Sequence, residues 1–134
     1  MEPMTTEGHL LHALRRFHEV APPQHVRQLQ MRHEIQSLQF WRATIGECLA
    51  TFFLTFLVCA AVVPWGGATG AAVALTAGFV ATTLNHCFGH VSGGYMNPAV
   101  TLAFVTLRKM TVFRGALYIV AQCGGAIAGA ALLY

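Results

Sequence analysis

From Ala43 to Leu107 the chain carries one charged residue, Glu47, and its apolar positions come in long unbroken runs rather than along one helix face. The runs extend from Ala43 to Val63, from Gly70 to Phe88 and from Gly115 to Tyr134. Each approaches the ~20 residues that a spanning helix needs. The pattern therefore predicts three transmembrane helices over about residues 43–63, 70–88 and 115–134. Pro64-Trp65-Gly66-Gly67 separates the first two, a turn signal whose Trp suits a membrane interface. A shorter element lies between the second and third. Asn97 is a favoured N-cap, and Pro98 suits the first helical position because the amide it lacks would have no partner there. A helix is predicted over 98–107, ending before Arg108-Lys109. At 1.5 Å per residue it is roughly 15 Å long, about half the ~30 Å hydrocarbon thickness. The expected fold class is an all-α membrane protein of three transmembrane helices plus one re-entrant half-helix.

Backbone that breaks at membrane depth is tolerated only where it is buried in protein or lines a water-filled cavity. That makes Asn97, Pro98 and Ala99 candidate pore residues. With its side-chain oxygen capping the half-helix, Asn97 has an NH2 held ready to donate into the cavity. The positive end of the helix points the same way, so the site offers donors to a neutral polar solute and repels cations. In a soluble protein Asn-Pro would mark only a turn.

Composition places the chain in lipid: 55% of its 134 residues are hydrophobic and 10% charged, against about 25% charged in ordinary soluble domains. Membrane lipid is thus an expected partner. All Lys and Arg precede the first run (Arg15, Arg16, Arg27, Arg32, Arg42) or stand before the third (Arg108, Lys109, Arg114), and Pro64 to Thr69 has none. By the positive-inside rule both basic groups are cytoplasmic. Two full spans between them satisfy this only if residues 89–107 enter and leave on one side. Residues 1–39 read as a cytoplasmic N-terminal tail and 40–134 as the membrane unit. In the tail Leu10, Leu14 and Phe17 share one helix face, as do Met31, Ile35 and Leu38. No apolar core precedes a cleavage site, so it is not a signal peptide. Its histidines match no metal-site spacing, and Cys48, Cys59, Cys87 and Cys123 read as reduced packing residues inside the spans. No nucleophile and base, metal set or phosphate-binding loop appears. An enzyme, a cofactor and a nucleic-acid partner are not expected.

Polar residues within the spans carry the remaining information. Glu47 costs several kcal/mol there unless it is paired or accepts backbone amides. The irregular loop before Asn97 is the expected source of those amides, and direct contact with a solute is the alternative. Gln122 reads as an interhelical hydrogen bond, and Gly125 to Gly129 as a GxxxG pattern for close helix approach. His86 and His90, near the cytoplasmic end of the second span, read as interfacial or loop-bonded side chains rather than a gate.

Three motifs now stand in order: Glu47-Cys48-Leu49-Ala50-Thr51, Ser92-Gly93 with Asn97-Pro98-Ala99-Val100-Thr101, and Tyr118-Ile119-Val120-Ala121-Gln122-Cys123-Gly124-Gly125-Ala126-Ile127. Over residues 38–134 the chain resembles the aquaporin or major intrinsic protein channels. The resemblance implies a homotetramer of pores in the plasma membrane, each built from two inverted repeats whose half-helices meet at the midplane. One repeat is present, so the chain is expected to be a fragment of a longer parent. Two departures bear on selectivity. Tyr95 stands where the family often has His, and Ala77 falls where water-selective members are often aromatic, which implies a wider constriction. The resemblance implies three roles: passive transport of water or small neutral solutes, passage of ions, or, through its likeness to neurogenic members of the family, a membrane protein of neurogenic Notch signalling and cell adhesion with little water conduction.

Overall fold

The structure is a computed structural model that describes residues 34–63 and 69–133, together with Gly8, Leu11, Leu29 and Arg32. Most of the N-terminal tail of residues 1–39, including Leu10, Leu14, Phe17 and Met31, lies outside the described residues, as do the turn at residues 64–68 and Tyr134; Ile35 and Leu38 are exposed. The chain divides into Met1–Gln36 and Ser37–Tyr134. The described residues of the first unit are helical. The second unit is built of α1 (Leu38–Val62), α2 (Gly70–Ser92), α3 (Pro98–Thr106) and α4 (Val112–Ala131). Three of these, α1, α2 and α4, are long and apolar enough to cross a membrane. No strand occurs among the described residues.

Helix ends differ from the limits of the apolar runs, because backbone capping sets where a helix stops and hydropathy does not. α1 begins at Leu38, five residues before the apolar run, since Leu38 to Arg42 contains no Gly or Pro to break it. α2 runs past Phe88 through His90 to Ser92, and stops where Gly93 takes the left-handed conformation (φ 99°) that glycine adopts without penalty. α4 starts at Val112, capped by Thr111, whose hydroxyl accepts from the Arg114 amide. α3 has nine residues, roughly 14 Å at 1.5 Å per residue.

α1 packs against α4 and α2, and α3 packs against α4. Gly125 meets Cys48 and Gly129 meets Phe52, so α1 and α4 run in the same direction. Both glycines lie against carbonyl oxygens of α1, an approach that any β-carbon would block. The buried stripe of α4 is Gly115, Tyr118, Gln122, Gly125 and Gly129. That of α1 includes Ala43, Thr44, Glu47, Ala50 and Thr51. Leu49, Phe53, Leu75, Phe79, Val120 and Ile127 are exposed. Apart from the buried rings of Phe40 and Tyr118, the inward faces of α1 and α4 are small or polar and the large apolar side chains point outward, the arrangement that suits lipid, where tight packing and hydrogen bonds hold helices together.

Candidate functional site

Glu47 is fully buried on α1 and receives four hydrogen bonds. Its Oε1 accepts from Ser92 Oγ at 2.5 Å and from the Tyr95 amide at 3.0 Å. Its Oε2 accepts from the Met96 amide at 2.7 Å and from Gln122 Nε2 at 2.7 Å. A carboxylate has about four acceptor sites, and all are filled, which offsets the large cost of burying it. The network continues outward. Ser92 Oγ accepts from the Gly94 amide at 3.1 Å. Tyr118 donates its hydroxyl to the Ser92 carbonyl at 3.2 Å. Gln122 also bonds Thr101 of α3, its Nε2 lying 2.9 Å from the threonine hydroxyl. One carboxylate therefore ties α1 to the end of α2, to the loop and to α4, and through Gln122 to α3.

The loop needs this support because its backbone is unusual. Gly93, Gly94 and Met96 have φ of 99°, 64° and 46°. The left-handed region costs a non-glycine residue such as Met96 about 1–3 kcal/mol. The hydrogen bond from its amide to Glu47 offsets that strain.

Downstream the chain enters α3. The Asn97 side-chain oxygen accepts from the Ala99 amide at 2.8 Å, and Asn97 is exposed, with its NH2 unpartnered among the described residues. Pro98 occupies the first helical turn. The Tyr95 ring packs on Phe104 at 4.7 Å between centroids and on Tyr118 at 6.1 Å. It also covers Gly93, where an added β-carbon would come within 2.8 Å of the ring. Ala77 is half-buried on α2.

The structure brings Glu47, Gln122, the Tyr95 amide and the α3 start into one assembly. It does not bring in His90, which is exposed and makes no hydrogen bond among the described residues. Cys87 and Cys123 are exposed and Cys48 and Cys59 half-buried, all free, so two of the four lie on outward faces instead of packing inside. Among the described residues no group of three or more side chains could hold a metal. Sequence reasoning missed Ser92, Thr101 and Tyr118 as members of the network. The available signal was spacing: Tyr118 and Gln122 are four residues apart, hence on one face of α4, with the glycines continuing that stripe.

This fold and site define a membrane-protein class that comparison identifies. The model of the family described as Major intrinsic protein matches residues 34–134. The chain belongs to the major intrinsic protein family. It is 51% identical over 109 residues to the neurogenic protein big brain of Drosophila melanogaster, covering 78% of this chain and 16% of that protein. It is 45% identical over 103 residues to the lens fiber major intrinsic protein of Lithobates pipiens, covering 75% and 39%. Over 101 residues it is 42% identical to aquaporin-4 of Mus musculus, covering 71% and 31%. The chain spans well under half the length of each of these relatives.

Proposed function

We propose that this chain is one half of a passive transmembrane channel for water, small neutral solutes or ions, and not an enzyme. The observation that carries the reading is the Glu47 clamp. A buried carboxylate holds an irregular loop inside an apolar helical unit, so that the nine-residue α3 begins at an exposed Asn97. Irregular backbone within a membrane is sustainable where it lines a cavity. There the Asn97 NH2 and the positive end of α3 act as donors toward a solute. Membership of a family that includes aquaporin-4 supports the same class.

In this reading α3 is re-entrant, residues 1–39 and 108–114 are cytoplasmic, and Asn97, Pro98 and Ala99 face the path. Tyr95 shapes the loop and Ala77 leaves the constriction wide. A second, inverted half comes from the rest of a full-length protein, which assembles as a homotetramer in the plasma membrane. The name of the Drosophila relative, a neurogenic protein, is the support for the second reading, a membrane protein of neurogenic signalling and cell adhesion with little water conduction. The test is osmotic shrinkage and ionic current in proteoliposomes holding the full-length protein. Flux above empty liposomes, altered by Asn97→Asp, is expected. Neither flux nor current from folded wild-type protein would overturn the channel reading.

A further inference from the structure

Glu47 fixes more than the position of the loop. The amides it binds, those of Tyr95 and Met96, belong to peptide units whose carbonyls are those of Gly94 and Tyr95. The peptide bonds are trans, so N–H and C=O point in opposite directions and both carbonyls are turned away from the buried carboxylate. Two adjacent outward carbonyls are a potential cation site, because carbonyl oxygens can replace an ion's hydration shell.

One of the two is already occupied. Asn85 of α2 donates its Nδ2 to the Gly94 carbonyl at 3.3 Å. A carbonyl oxygen opposite the side chain requires the amide nitrogen to face it, which assigns the orientation of the Asn85 amide. Asn85 is exposed, and it stands four and eight residues beyond Ala81 and Ala77, on the same face of α2. Asn85 and Asn97 are the chain's two asparagines; one caps α3 and the other covers a carbonyl of the loop leading into it.

We infer that Asn85 is a specificity-determining residue of the conduction path: its amide NH2 covers the Gly94 carbonyl and so disfavours cations relative to neutral solutes. The inference rests on the channel reading above. The NH2 uses part of the acceptor capacity of Gly94 and sets partially positive hydrogens against that carbonyl, while the side-chain Oδ1 remains an acceptor for a neutral solute's hydroxyl or for water.

The experiment compares wild type, Asn85→Ala, Asn85→Asp and Asn85→Gln in the full-length protein in liposomes. Potassium current and glycerol-driven volume change are read from the same preparations, and their ratio does not depend on how much protein is incorporated. The potassium-to-glycerol ratio should rise roughly fivefold in Asn85→Ala, the order of one net hydrogen bond, and at least as much in Asn85→Asp. Asn85→Gln, which keeps the amide, should stay near wild type. An unchanged ratio in Asn85→Ala and Asn85→Asp, with conducting wild type, would overturn the inference and leave the channel reading standing. Equal loss of both permeabilities in these two variants would restrict Asn85 to holding the loop, and overturns it too. Wild type that passes none of water, glycerol and potassium would remove the channel reading itself, and this inference with it.

Discussion

At Glu47 the balance between burial and hydrogen bonding is tight enough to predict from counting. Glu47→Gln keeps the size but puts an NH2 where two of four donors now point, so donors face donors. Leaving buried donors unsatisfied costs about 1–3 kcal/mol each; an NH2 in the Oε2 position takes the acceptor from the Met96 amide, whose φ is strained, and one in the Oε1 position takes it from the Tyr95 amide. Glu47→Gln should therefore lower thermal stability in detergent by several degrees and reduce flux in the full-length protein, whereas Glu47→Asp, which is shorter, should lose part of the network only. At Asn97 the cap itself is testable. Asn97→Ala should destabilise by about 1 kcal/mol, the value of an N-cap; Asn97→Asp keeps the capping oxygen and should unfold later than Asn97→Ala, although both alter conduction. Equal stability of the two would show that the bond to Ala99 carries nothing. Of these residue roles, the need of Glu47 for amide donors was readable because an isolated carboxylate in an apolar run has few ways to persist. The participation of Ser92 and Thr101 was not, because hydroxyls are common in helices and their partners lie on other elements.

Among the elements, the pairing of α1 with α4 depends on backbone contact, and neighbouring glycines supply an internal control. A β-carbon at Gly125 would strike the Cys48 carbonyl, whereas one at Gly124 meets nothing within 4 Å. Gly125→Ala should lower stability and, because α1 carries Glu47, disturb the loop. Gly124→Ala should be neutral or stabilise by up to about 1 kcal/mol through helix propensity. Thermal unfolding of the two purified variants in one detergent checks the difference, and equal shifts would mean that the helices separate easily. Hydropathy runs located α1, α2 and α4 but misplaced their ends. The run ending at Phe88 took no account of Gly93, whose left-handed φ is the actual stop. Likewise Gly115 opened the last apolar run, but Thr111 supplies the cap.

For the molecule as a whole, the outward apolar faces and the exposed start of α3 lead to a prediction about the isolated chain. Residues 1–134 alone in liposomes should not conduct, since the exposed Asn97 at the start of α3 has no partner half to complete a cavity; osmotic shrinkage above background, abolished by Asn97→Asp, would show that the chain assembles a path by itself. Orientation is tested separately in cells expressing the full-length protein without native cysteines. A membrane-impermeant thiol reagent should label Thr69→Cys and spare Lys109→Cys, and the reverse would place the basic loop outside. The sequence alone determined that the chain is membrane-embedded, all-helical and interrupted at Asn97, because hydropathy, Pro placement and capping act over neighbouring residues and leave a local record. The tertiary structure alone decided which side chains meet: that Glu47 of α1 finds amides 48 and 49 positions downstream, that Gln122 joins it from 75 positions away, and that Asn85 covers Gly94. Those contacts depend on the relative rotation and depth of helices set by glycine-to-carbonyl packing, and no local pattern in one helix specifies the face that another will present to it.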